Sequence, residues 1–193
     1  MVSPTDPNQV LLTGENSFMR LSHEDGGPLT VRASHWRVLL SPGGPGHVLF
    51  LSGEVTDDQV HIYTDNVAMT RWLQGEIQGL LTPEFGDQDI PVIDAEFERL
   101  GDVRSFSTEA IVSRDADISL TWYDFAEPFV IRAAPGSTPG RPHGVYSVFI
   151  PARRAYLTFN GETSEGRPFP AERDGHESST ACLAWSETWV KPH

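Results

Sequence analysis

Glu187 stands at two-residue spacing from two tryptophans, Trp185 and Trp189, and Leu183 extends the same row. Side chains of an extended strand alternate between faces, so the four would share one face and set a carboxylate between two indoles. Turned inward, that carboxylate loses hydration, its neutral form is favoured, and its pKa rises towards the range useful to a general acid or base. An exposed strand end is the simpler account of Glu187. Asp124 closes a second apolar row, after Ile118, Leu120 and Trp122, and two carboxylates in unequal surroundings can divide acid and base roles. Its simpler account is a cap on the bend at Ala126-Glu127-Pro128.

His35 and His61 are embedded in strand-like patterns, whereas His23, His47, His143 and His176 sit beside glycine or acidic turn residues. A strand histidine most often serves structure, but imidazole titrates near neutrality, which makes His35 a third acid/base candidate beside Glu187 and Asp124. Tyr63 and Arg37 could donate hydrogen bonds to a developing oxyanion. With His61 and the tryptophans Trp36, Trp72, Trp122, Trp185 and Trp189, they make the expected substrate-contacting set.

Named motifs are missing. There is no phosphate-cradling glycine loop, no G-x-S-x-G and no H-E-x-x-H, and no pair of histidines two apart precedes a carboxylate. Cys182 is the single cysteine, so neither a cysteine zinc site nor an intrachain disulfide can form, and a reducing compartment follows. Cys182 lies in an apolar run and reads as a buried, inert thiol. No metal and no organic cofactor is expected from this residue set.

The net charge of −13 argues against nucleic acid and anionic membrane surfaces as partners. The positive charge is nearly all arginine, because Lys191 is the only lysine. Composition alone accounts for that excess unless the guanidinium groups converge in space. The amino-terminal stretch 1–13 lacks the basic and apolar regions of a secretory signal, and no 18 apolar residues run together, so a cytoplasmic protein is expected.

The elements that must position these groups are short. Segments 18–22, 29–41, 47–55 and 59–64 are rich in β-branched and aromatic residues, with turn chemistry at Asp25-Gly26-Gly27-Pro28, at 42–46 and at Asp57-Asp58. Over 67–81, Met69, Trp72, Leu73, Ile77, Leu80 and Leu81 recur at helical spacing, with Arg71, Gln74, Glu76 and Gln78 falling largely on the other side. Asp65 or Asn66 can cap this helix and Thr82-Pro83 stops it; Gly75 and Gly79 would allow a close backbone approach. Strand patterns return at 93–100, 103–113, 118–125, 129–133, 145–151, 155–160 and 180–190, with Ala152-Arg153-Arg154 as a hairpin link and 162–179 as a long polar loop.

The expected fold is therefore one mainly β domain over 1–193, with 1–15 loosely ordered and one inserted helix at about 67–81. About ten antiparallel strands would close into a barrel of the lipocalin or calycin type, or stack as a β-sandwich. The expected function is that of a small-molecule enzyme: an apolar barrel pocket holds a hydrophobic or aromatic substrate, and acid/base side chains perform an isomerase, cyclase, lyase or hydratase step. The alternative is a non-catalytic carrier of a hydrophobic small molecule. Association into a homodimer is compatible with either.

Overall fold

The structure, a computed structural model, describes residues 9–102 and 104–192. Strands β1 (Val10–Ser22), β2 (Leu29–Leu40), β3 (Gly46–Gly53) and β4 (His61–Thr64) pair antiparallel in chain order. The first two turns between them fall at glycine- and proline-rich stretches, the third at Asp57-Asp58, both at positive φ (51° and 58°). A helical crossover then carries the chain to β5 (Val92–Asp102), which lies parallel to β4; antiparallel pairing resumes through β6 (Phe106–Ser113) and β7 (Asp117–Phe125). A parallel neighbour requires such a crossover, because a short turn can only reverse the chain.

After β8 (Phe129–Ala133) comes β9 (Gly144–Phe159), followed by β10 (Glu162–Thr163), β11 (Pro170–Arg173), β12 (His176–Ser179) and β13 (Ala181–Val190). Strand β9 pairs with β13 along its first half and with β7 along its second, and β13 pairs with β1. These contacts close a nine-strand barrel and decide against the sandwich. Among the described residues no helix is long and apolar enough to cross a membrane.

Three sequence expectations need correction. Residues 10–15 belong to β1 and are not loosely ordered; residues 1–8 lie outside the described residues. Ala152-Arg153-Arg154 is no hairpin link but the middle of β9. It contains no residue suited to a left-handed turn, and it marks where the strand changes partner, β13 ending at Pro151 and β7 starting at Ala152. The presumed loop 162–179 holds β10 and the β11–β12 hairpin. That hairpin turns at Asp174-Gly175, both at positive φ (51° and 77°), the conformation a two-residue hairpin turn demands.

The helical crossover comprises α1 (Val67–Leu73), a π turn (Gln74–Gln78), α2 (Gly79–Leu81) and a closing 3-10 turn (Pro83–Gly86). Asn66 caps it by accepting from the Met69 amide at 3.1 Å. The wider turn rotates the face presented to the barrel, so Gln74 and Gln78 are buried with Met69, Leu73 and Ile77, contrary to their assignment to the solvent side. Gly79 permits a close approach, but to Gly86 of the following turn: a Cβ on Gly79 would stand 3.2 Å from the Gly86 Cα.

Three apolar clusters result, the smallest of which, Phe129, Phe149, Cys182 and Ala184, lies on the outer wall beside β8. Inward side chains, including Met19, Leu49, Tyr63, Ile111, Leu120, Trp122 and Leu183, pack together in the bore. Outward side chains Trp36, Val48, Phe50 and Ile62 pack beneath Met69, Leu73, Ile77 and Phe85 of the crossover. Strand β2 is covered on both faces, as the lack of clear polar alternation over 30–38 requires.

Candidate functional site

The last strand does not keep the alternation that its sequence implies. From Trp185 to Thr188 β13 advances three residues while its partner β9 advances two, from Val148 to Tyr146, so β13 carries one extra residue. Ser186 accommodates it at a φ of 55°. The bulge divides the row: Leu183 and Trp185 pack into the bore, while Glu187 and Trp189 face outward. Glu187 therefore stands beside one indole, not between two.

Outside the barrel wall, Glu187 meets a cavity of about 320 Å³. Its floor is the outer surface of β1, β2, β9 and β13, including Asn16, Ser34, Ser147 and Ala184. Gln78, Leu81 and Phe85 of the crossover cover one side; Ile131 of β8, Arg141 and Arg173 of β11 cover the other. Glu187 is only 5% exposed. It accepts hydrogen bonds from Trp189 Nε1 on Oε1 at 2.7 Å and from Ser147 Oγ on Oε2 at 2.9 Å. Burial drives its pKa up to about 7, against the pull of those two donors and of Arg141 and Arg173. Glu187 can therefore both give and take a proton near neutrality.

Two carboxamides flank it. Gln78 Oε1 accepts from Trp36 Nε1 at 2.7 Å and from Ser34 Oγ at 3.1 Å, which fixes the orientation of the amide. Its Nε2 is buried without a partner, as is Asn16 Nδ2. An unsatisfied buried donor costs about 1–3 kcal/mol, and both side chains belong to the lining of this cavity.

Four of the thirteen arginines, Arg20, Arg32, Arg141 and Arg173, line the same cavity. Arg20 and Arg32 are direct cross-strand neighbours, a like-charge pairing that sheets ordinarily avoid. Arg32 is paired with Glu84 at 2.7 Å; Arg20, Arg141 and Arg173 have no acidic partner within 4.0 Å among the described residues. Arg173 lies over the Phe18 and Phe149 rings, at 5.6 and 5.0 Å, and Arg20 over Phe18 at 5.8 Å.

The other predicted residues do not join Glu187. Asp124 is half exposed at a positive φ of 56°, loosely paired with Arg153 and Arg154 at 3.9 and 3.8 Å. His35 points into the bore and is fully buried, stacked against Phe97 and His47 at ring distances of 5.8 and 6.3 Å. Burial, then the positive potential of His47 and Arg99, lowers its pKa to about 3, so it is uncharged and weakly basic at neutral pH. Its Nε2 has no partner, and neither have Ser17 Oγ and Trp185 Nε1. In the same end of the bore Arg99 bridges Glu15 and Glu109 and lies 5.2 Å over the Trp185 ring. Arg37 pairs with Glu15 and His47 in strand register on this inward face.

Tyr63 and Trp122 are core residues of the bore, and His61 Nδ1 is 3.1 Å from the Tyr63 hydroxyl. Trp36 reaches the cavity only through Gln78, and Trp72 packs on the apolar cluster beneath the helix. Burial pushes the Cys182 thiol up despite Arg173 and Arg20 nearby, as an inert thiol requires. Of the predicted set, the cavity thus brings together Glu187 and Trp189. Asn16, Gln78, Ser147 and the arginines were missed. The paired glutamines Gln74 and Gln78, one helical repeat apart beside an apolar stripe, were the available sign of a polar patch on the packed face.

Neither a family model, nor a curated protein, nor a solved structure matches the chain, which leaves the chemistry of the cavity itself to indicate its use.

Proposed function

We propose that the outer-wall cavity binds a small molecule with a flat apolar body and that Glu187 moves a proton to or from it, in a reaction of the isomerase or lyase type. The observation that carries this reading is the combination at Glu187: a buried carboxyl poised at about 7, held by Trp189 and Ser147 and facing a cavity with two idle amide donors. A carboxyl near the working pH is the most effective proton shuttle, and fixed donors beside it can take up charge that develops on a substrate oxygen. The aromatic wall of Phe18 and Phe149 suits a planar guest.

A carrier would use the same cavity. The feature favouring it is that both oxygens of Glu187 already accept a hydrogen bond, which holds the carboxyl as a fixed binding group. Incubation in D2O with a panel of small unsaturated and aromatic compounds distinguishes the two. The enzyme reading expects deuterium uptake or conversion of at least one compound, slowed about 10²-fold or more in Glu187→Gln. Compounds that bind, register in the tryptophan fluorescence, and return unchanged from the wild-type protein identify a carrier; equal turnover by wild type and variant removes Glu187 from the chemistry.

A further inference from the structure

We infer that the guest of this cavity is a carboxylic acid, an apolar or aromatic body whose carboxylate sits among Arg20, Arg141 and Arg173. The inference deepens the reading above and rests on the same cavity being a ligand site.

The argument is a surplus of donors. The polar atoms left idle at the cavity are the amide nitrogens of Asn16 and Gln78, in side chains only 6% and 1% exposed. The arginines add donors that have no carboxylate within ion-pairing distance among the described residues, while the acid in the lining, Glu187, is already engaged by Trp189 and Ser147. The guanidinium groups also repel one another. Arg20 is pushed below its ordinary pKa by burial and then by Arg32 and Arg173, and Arg141 by burial and then by Arg173. In a chain of net charge −13, gathering these cations around one hollow lined by Phe18 and Phe149 concentrates positive potential where an anion with an apolar face would relieve it. Guanidinium forks match a carboxylate in a planar, bidentate manner, and Arg173, 5.0 Å from the centre of the Phe149 ring, stands where such a group and an apolar body would adjoin.

Titrations of tryptophan fluorescence with matched pairs, cinnamate against cinnamamide and benzoate against benzamide, test the inference, with sodium phosphate as the anion that lacks an apolar body. The acids bind at least roughly tenfold more tightly than their amides, and phosphate binds more weakly than the acids. Arg141→Gln and Arg173→Gln each lower acid affinity by about tenfold and leave amide affinity unchanged, while Arg173→Lys, which keeps the charge but not the fork, loses only part of it. Arg132→Gln, an exposed site over Tyr146 and away from the cavity, changes nothing. Thermal melts identify any variant that is misfolded, and Arg173→Met then serves in place of Arg173→Gln. Amides binding as well as acids, phosphate binding as well as cinnamate, or affinities indifferent to Arg141 and Arg173 would each overturn the assignment. Those outcomes leave the Glu187→Gln turnover comparison untouched, so the two readings fail separately.

Discussion

Trp185 and Glu187 are two residues apart on one strand and on opposite faces of the barrel wall, separated by Ser186 at a φ of 55°. A regular strand would place both side chains in the bore or both outside it. The extra residue in β13 is thus what brings Glu187 to the cavity while Trp185 remains beneath Arg99.

Ser186 pays a conformational cost for its left-handed backbone, so its substitutions have a defined sign. Ser186→Gly should leave stability unchanged or raise it by up to about 1 kcal/mol, since glycine takes positive φ freely. Ser186→Val should cost about 1–3 kcal/mol, because a β-branched residue there is strained. Urea unfolding of both variants checks the pair; a valine variant as stable as wild type would show that the bulge is not fixed at this residue.

Glu187 and His35 give stability opposite dependences on pH. The folded pKa of Glu187, about 7, lies above its ordinary 4.5, so its contribution is complete below 4.5 and is lost as pH rises through 7, by about 3 kcal/mol. The folded pKa of His35, about 3, lies below its ordinary 6.5, so its contribution is complete above 6.5 and is lost as pH falls towards 3, on the order of 4 kcal/mol. Between 4.5 and 6.5 the two slopes oppose. The stability of Glu187→Gln relative to wild type should therefore climb by about 3 kcal/mol from pH 4.5 to 7, and that of His35→Gln should climb as pH falls below 6.5. Curves parallel to wild type, measured by denaturant unfolding at each pH, would contradict both assignments.

Arg99 neutralises two carboxylates at the polar end of the bore, and the Glu109 side chain there is only 4% exposed. Arg99→Met leaves Glu109 buried and uncompensated, at a cost of about 3–5 kcal/mol at neutral pH. Burial already raises the Glu109 pKa against the attraction of Arg99, so removal of Arg99 sends it higher. Acidification should therefore restore part of the lost stability, and Arg99→Met/Glu109→Gln should recover part of it at neutral pH. A loss that is the same at pH 5 and pH 8 would place its origin in packing over Trp185 instead.

The barrel was legible because its signals are local. Strand alternation, the turns at Gly26 and Gly44, and the 3.6-residue recurrence from Met69 to Leu81 each depend on neighbours in the chain. What escaped depends on register or on a single inserted residue. Nothing near Ser186 distinguishes a bulge from a regular strand, and that one residue reverses the placement of Glu187 and Trp189. The opposition of Arg20 and Arg32 exists only once β1 and β2 are paired, and Arg141 and Arg173 arrive from segments far away in the chain. The β11–β12 hairpin hid for a different reason: its strands are polar, with Asp174-Gly175 as their only plain sign. Helical periodicity likewise misassigned Gln78, because a π turn shifts the phase of every residue beyond it.

The hollow is roofed by pieces that take no part in closing the nine strands: the crossover that carries Gln78, the segment that carries Arg141, and the hairpin that carries Arg173. The roof of the hollow and its floor are consequently drawn from different stretches of the chain, the floor alone belonging to the closed ladder. Substitutions in the roof can therefore reshape the hollow while the ladder beneath stays intact, whereas changes at Glu187, Asn16 or Arg20 act on the strands themselves.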